Sequence, residues 1–263
     1  MTTPDSALAY RRIFHHEEHV MGTVVTLDLF DESMPPKWTL TPIVEEAIGV
    51  LHAADEMFST WKDTSCISRI RRGELSLDDA PVEISIVLER CRKARETSRG
   101  WFDPWAMPGG FDPTGLVKGW AAQQSLNVLQ RADVKGAIVN AAGDIASFGG
   151  PQMDQRFRIG IADPAHPQQL ACVVETPGAI ATSGTYERGA HLIDPHSGLP
   201  ATRAASATVV GTDLSLADAL ATALVIAGKQ ALTMFNDLSD YEGLVIADDG
   251  TFHMSPGFPI AKL

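Results

Sequence analysis

The chain has 263 residues, 44% of them hydrophobic and 21% charged, which is ordinary for a soluble globular protein and enough to bury a sizeable core in one large or two small domains. A formal net charge of −12, with no basic run, excludes non-specific nucleic-acid binding. The three cysteines, Cys66, Cys91 and Cys172, have neither zinc-ligand nor redox spacing, so reduced thiols and a cytoplasmic location are expected.

Residues 1–19 show no signal-peptide core and no early lipidated cysteine, and they read as an N-terminal extension to a domain over 20–263. No run approaches ~20 apolar residues, so no membrane span is expected. Alternation through Val25, Leu27 and Leu29 predicts a strand over 22–30. Helical spacing through Val44, Ala47, Ile48, Leu51 and Ala54 predicts a helix over 42–58, and a second follows over 82–98. The polar stretch between them, 59–80, reads as irregular. Residues 100–115, dense in Gly, Pro and aromatics, read as a loop able to approach a ligand closely, or as a plain surface connection. A helix over 116–130 and a short buried strand over 137–140 come next, then a turn over 141–144. Strands are expected at 156–162, 171–175, 179–182 and 204–210, with helices at 214–227 and 229–238. A hairpin around Asp248-Asp249-Gly250 closes the chain. There are no internal repeats and no clean linker, which favours one α+β unit with a mostly antiparallel sheet, its main variant being two lobes.

Missing motifs narrow the chemistry. No GxGxxG follows a strand, and there is no GxxxxGK[ST] loop, GxSxG turn or HExxH pair. What stands out is the 214–227 helix, apolar except for Ser215, Asp218 and Thr222, the last two one turn apart on a single face. A carboxylate and a hydroxyl so placed suit a hard cation such as Mg²⁺. The same residues allow a plainer reading. Ser215 and Asp218 have a capping-box-like spacing, and Thr222 can bond back to a carbonyl one turn earlier.

Four polar, glycine-rich segments lie beside apolar runs: Asp112-Pro-Thr-Gly115-Leu-Val-Lys118-Gly119, Asn140-Ala-Ala-Gly143-Asp144, Ala181-Thr-Ser183-Gly184-Thr-Tyr-Glu-Arg188 running on to His191-Leu-Ile193-Asp194-Pro195-His-Ser-Gly198, and the Asp218–Thr222 helix. With Met21-Gly22-Thr23 and Phe58-Ser59-Thr60-Trp61 ahead of them, this series resembles the ApbE-type FAD:protein FMN transferases from about Val20 to Gly228. The resemblance implies a T-fold-like α+β unit. It also implies FAD as substrate, Mg²⁺ at its diphosphate, and transfer of FMN to a Thr or Ser hydroxyl of an acceptor flavoprotein with release of AMP.

Residue by residue, the resemblance assigns the metal to Asp218, Thr222 and the Gly115 carbonyl. His191 becomes the base that takes the acceptor's proton, a task suited to imidazole near neutral pH. Met21, Trp61, Phe102, Asp103, Asp112, Lys118, Ser183, Gly184 and Ile193 become FAD-binding positions. Read without it, Lys118 is an exposed helix lysine and Asp112 a turn residue before proline. Ser183-Gly184 reads as a turn whose N–H groups cradle an anion. The sequence departs from the family at Ala142, where a glycine is usual, and at Ala221, where some members carry a second carboxylate. Its 103–112 stretch is compact and glycine-rich. Two other functions share the scaffold: an FAD pyrophosphatase yielding FMN and AMP, and a flavin carrier without turnover.

Overall fold

The computed structural model describes residues 10–176, 178–184, 192–200 and 203–261. Among these residues eight strands form one sheet in the order β1-β2-β3-β4-β7-β8-β9-β10, with every neighbouring pair antiparallel. They are β1 (Arg11–Val20), β2 (Thr23–Asp31), β3 (Gly136–Ala141), β4 (Asp144–Phe148), β7 (Ala179–Gly184), β8 (Ser206–Gly211), β9 (Glu242–Ile246) and β10 (Phe252–Met254). A separate hairpin joins β5 (Arg158–Ala162) to β6 (Leu170–Glu175).

Helices α1 (Lys37–Phe58), α3 (Val82–Thr97), α4 (Thr114–Leu129) and α5 (Leu214–Ala227) share one core with a face of the sheet. There Leu27 and Leu29 of β2 and Val139 of β3 meet Leu51 and Phe58, Leu116 and Leu126, and Leu220 and Leu224. On the opposite face Ile145, Ile180, Val210 and Leu244 pack with Ile161 and Val174 of the β5–β6 hairpin. The middle of the sheet is thus covered on both sides, which is why β8 is buried along its whole length, Ser206 and Thr208 included. Among the described residues, the segment Leu214–Asp237 is long and apolar enough to cross a bilayer by length and composition only. Its α5 part is the buried central helix of this core.

Several elements differ from the sequence reading. Residues 11–19, for which no strand was expected, join Val20 in the edge strand β1, which pairs along the full length of β2. Its Arg, His and Glu side chains suit an exposed edge and hide the strand pattern. β4 begins at Asp144, the last residue of the expected turn. Helix α1 starts five residues earlier than expected, with Pro42 inside it; the hydroxyls of Thr39 and Thr41 donate to the Pro36 and Lys37 carbonyls in this first stretch. The 59–80 stretch contains a short helix, α2 (Cys66–Arg71), capped by Ser65 Oγ accepting the Ser68 N–H at 3.0 Å. The segment after α5, Gly228–Asp237, is a 3₁₀ helix.

Candidate functional site

Antiparallel pairing brings distant segments to one end of the sheet. The β1–β2 hairpin turns through Met21 (φ 53°) and Gly22 (φ 69°), the β3–β4 hairpin through Ala142 (φ 52°) and Gly143 (φ 93°). Two left-handed residues in a two-residue loop are the geometry that matches strand twist. Both tips, and the C-terminal end of β7, lie at this end, beside the start of α4 and the middle of α5. Between them is a cavity of about 600 Å³. Met21, Trp61, Phe102, Asp103, Asp112, Gly115, Lys118, Ser183, Gly184, Ile193, Asp218 and Thr222, all expected from the sequence, line it. His191 lies outside the described residues.

The inner corner belongs to α4 and α5. The Asp218 carboxylate, 4% exposed, accepts the Gly119 N–H on Oδ2 at 3.0 Å. Gly119 lies four residues after Gly115, the spacing of an α-helical bond, so Asp218 shares the donor that faces the Gly115 carbonyl. Thr222 Oγ1 lies 3.3 Å from Ser183 Oγ on β7 and next to Gly115, whose missing Cβ would sit 3.9 Å from that hydroxyl. Carbonyl, carboxylate and two hydroxyls are hard oxygen donors of the kind Mg²⁺ takes. Among the described residues no three His, Cys, Asp or Glu side chains group closely enough to hold a metal alone. A cation here would therefore need substrate oxygens and water, the usual state of protein-bound Mg²⁺.

The capping reading of Ser215 and Asp218 gives way to a different cap. Asp213 is the N-cap of α5; its Oδ1 accepts the Leu216 N–H at 3.2 Å and the Ser215 hydroxyl, while Arg90 reaches Oδ2 at 2.9 Å. Asp218 therefore faces α4 rather than the helix start. Burial pushes the Asp213 carboxyl up, but the Ser215 hydroxyl and the Arg90 charge outweigh it and hold the group below its ordinary range.

Ser183 and Gly184 are strand rather than turn. The ladder to β8 runs on through Ser183↔Ala207 and Gly184↔Ser206, so pairing overrides the local turn chemistry. Asp112 Oδ1 accepts the N–H and hydroxyl of Thr114 at 3.0 and 2.6 Å, which shapes the start of α4. Arg71 holds the same loop, donating to the Phe111 and Gly110 carbonyls at 2.8 and 3.2 Å and pairing with Asp112 at 3.4 Å. Asp103 takes the Arg95 Nε at 2.6 Å and the Trp105 N–H at 3.0 Å. Phe102 is buried against Gly115, whereas Trp61 stands 93% exposed on the rim.

The 192–200 loop forms another wall. Ile193 bridges to Pro200, and the Asp194 carboxylate receives the His196 N–H at 2.9 Å and Arg203 at 3.4 Å. Burial raises the Asp194 carboxyl, but His196 and Arg203 reverse this and keep it below the ordinary carboxylate range. The His196 ring lies 4.4 Å from that of Trp101, a cavity-lining residue that sequence reasoning did not assign. Asp144, the last residue of the Asn140–Asp144 segment, was also missed. It is buried and forms an ion pair with Lys118. The other lining lysine, Lys62, is held by Asp55 at 2.6 Å and Glu56 at 2.5 Å. Among the described residues, four aspartates and two lysines line the cavity, and both lysines are paired with carboxylates.

Comparison with known proteins gives the same grouping. The ApbE family model matches residues 21–109 and 107–245. A curated Vibrio cholerae relative named FAD:protein FMN transferase is 31% identical over 152 residues, covering 53% of this chain and 46% of that one. One from Rhodobacter capsulatus with the same name is 30% identical over 156 residues, covering 56% of this chain and 30% of that one. The matches thus span less than half the length of these relatives. The fold is that of the Thermotoga maritima ApbE protein (TM-score 0.78, 20% identity, 94% of this chain and 97% of that chain) and of the Vibrio cholerae flavin transferase ApbE (TM-score 0.78, 20% identity, 95% and 98%). Since the family match takes in most of the chain, including most of the cavity wall, the protein belongs to the ApbE family.

Proposed function

We propose that this protein transfers the FMN half of FAD to a Thr or Ser hydroxyl of an acceptor protein and releases AMP. The observation that carries this reading is the inner corner, where Gly115, Asp218, Thr222 and Ser183 bring hard oxygens to one cavity. Asp218, Thr222 and the Gly115 carbonyl would hold Mg²⁺, which when bound neutralises diphosphate charge and polarises the phosphoryl centre. The N-terminus of α4, at Thr114 and Gly115, adds partial positive charge on the same side.

The chain's own residues bind and orient. Trp61 and Phe102 offer aromatic faces to the ring systems, and Met21 closes the pocket from the β1–β2 turn. The acceptor oxygen attacks the FMN phosphorus, the bond from that phosphorus to the AMP oxygen breaks, and the acceptor's proton passes to His191.

The test is mass spectrometry of an acceptor flavoprotein after incubation with FAD and Mg²⁺, together with AMP measurement. A covalent FMN adduct with AMP released only when acceptor is present supports transfer. FMN and AMP formed without acceptor would make the protein a pyrophosphatase. Bound FAD without turnover would make it a carrier.

A further inference from the structure

Lys118 does not enter the cavity as a lone cation. Its ammonium pairs with one oxygen of Asp144, a side chain only 1% exposed, while Lys118 itself is 26% exposed and lines the cavity. The second Asp144 oxygen accepts the Thr182 N–H at 3.0 Å, one residue before Ser183. One carboxylate therefore ties α4 to β7 just where both meet the cavity. Its own backbone is held firmly. Asp144 directly follows the tight β3–β4 turn, which Asn140 Oδ1 braces by accepting the Gly143 N–H at 2.8 Å.

Stability alone does not account for this pair. A buried ion pair roughly breaks even against apolar packing, because both charges lose their water. What it does provide is a fixed ammonium. Lysine has three donors on a long flexible stem, and Asp144 engages one, leaving two for a ligand in the cavity that Lys118 lines. Lys118 lies one turn after Gly115 and next to Gly119, the donor to Asp218.

We infer that Asp144 is a positioning residue for diphosphate recognition, holding the Lys118 ammonium and the Ser183 end of β7 in binding geometry. This rests on the flavin-transfer reading above. Its test is a double-mutant cycle of Asp144→Asn and Lys118→Met in the full chain, reading FAD affinity by flavin fluorescence, kcat and KM for FAD, and the melting temperature.

Asp144→Asn keeps the shape and an acceptor for Thr182 while removing the charge. It should weaken FAD binding about tenfold, and the double variant should bind no worse than Lys118→Met alone. Effects on affinity that multiply instead, or a lowered melting temperature with unchanged FAD affinity, would overturn the inference. Should the Asn variant not fold, Asp144→Glu serves. It keeps the charge but shifts the ammonium by a methylene, so wild-type FAD affinity in that variant would also refute the role. A wild-type protein that binds no FAD would sink the flavin-transfer reading, and this inference with it.

Discussion

Asp218 Oδ2 accepts the backbone N–H of Gly119 at 3.0 Å, so the carboxylate assigned to the metal also ties α5 to α4. The contact requires a glycine. A Cβ on residue 119 would lie 2.5 Å from the Leu214 carbonyl oxygen and 2.9 Å from Asp218 Cβ. Gly119→Ala must therefore push the helices apart at the inner corner. Overpacking of this kind costs about 1–3 kcal/mol. A urea titration should show that loss, and, on the proposed function, FAD turnover assayed with Mg²⁺ should fall well beyond it at temperatures where the variant is folded. Wild-type stability and turnover together would show that the helix contact tolerates a methyl group.

Asp213 links a helix cap to acid sensitivity. Replacing it with Ala removes the acceptor for the Leu216 N–H and should cost about 1 kcal/mol. Asp213→Asn retains a capping oxygen and isolates the charge. Because the folded group titrates below its ordinary value of 3.8, its charge contributes stability that is fully present above that value and is lost as pH falls through the folded value. Urea midpoints for wild type and Asp213→Asn should therefore differ by a constant amount between about pH 5 and 7 and converge below about pH 4. A gap that widened in acid would contradict the assignment.

Ala142 sits at φ 52°, a left-handed position that favours glycine. Holding alanine there costs roughly 1–2 kcal/mol, and glycine's greater freedom in the unfolded chain returns part of any gain. Ala142→Gly should stabilise by up to about 1 kcal/mol, whereas the β-branched Ala142→Val should destabilise by more than about 1 kcal/mol. Chemical denaturation of the three proteins reads both signs, and a valine variant as stable as wild type would rule out strain at this turn.

How much of this was legible in the sequence varied by element. The helix 214–227 matches α5 in its bounds, because apolar residues recur around its whole surface and Gly228 ends it. Strand β1 was not legible: its alternation is carried by Ile13 and Val20 among charged residues, and only pairing with β2 reveals it. The Ser183-Gly184 turn looked plausible locally and lost to the β8 ladder. At the site, spacing placed Asp218 and Thr222 on one helix face, but their meeting with Gly115 and Ser183 depends on tertiary packing. Family resemblance, not periodicity, supplied those positions. Asp144 escaped even that, since its pairing with Lys118, 26 residues away, depends on how α4 packs against the sheet.

Trp61 gives the cleanest separation of binding from folding. Its side chain is 93% exposed on the cavity rim, so it contributes almost nothing to the core, and water has full access to an unpacked indole. An aromatic face in that position gains its packing only when a ring system covers it, at about 0.5–1.5 kcal/mol beyond area burial. Trp61→Ala should leave the melting temperature unchanged and weaken FAD binding by about threefold to tenfold. Trp61→Phe should recover most of the loss. Isothermal titration with FAD and Mg²⁺ measures the difference directly. An alanine variant binding as tightly as wild type would remove Trp61 from the flavin site while leaving the inner corner's role intact.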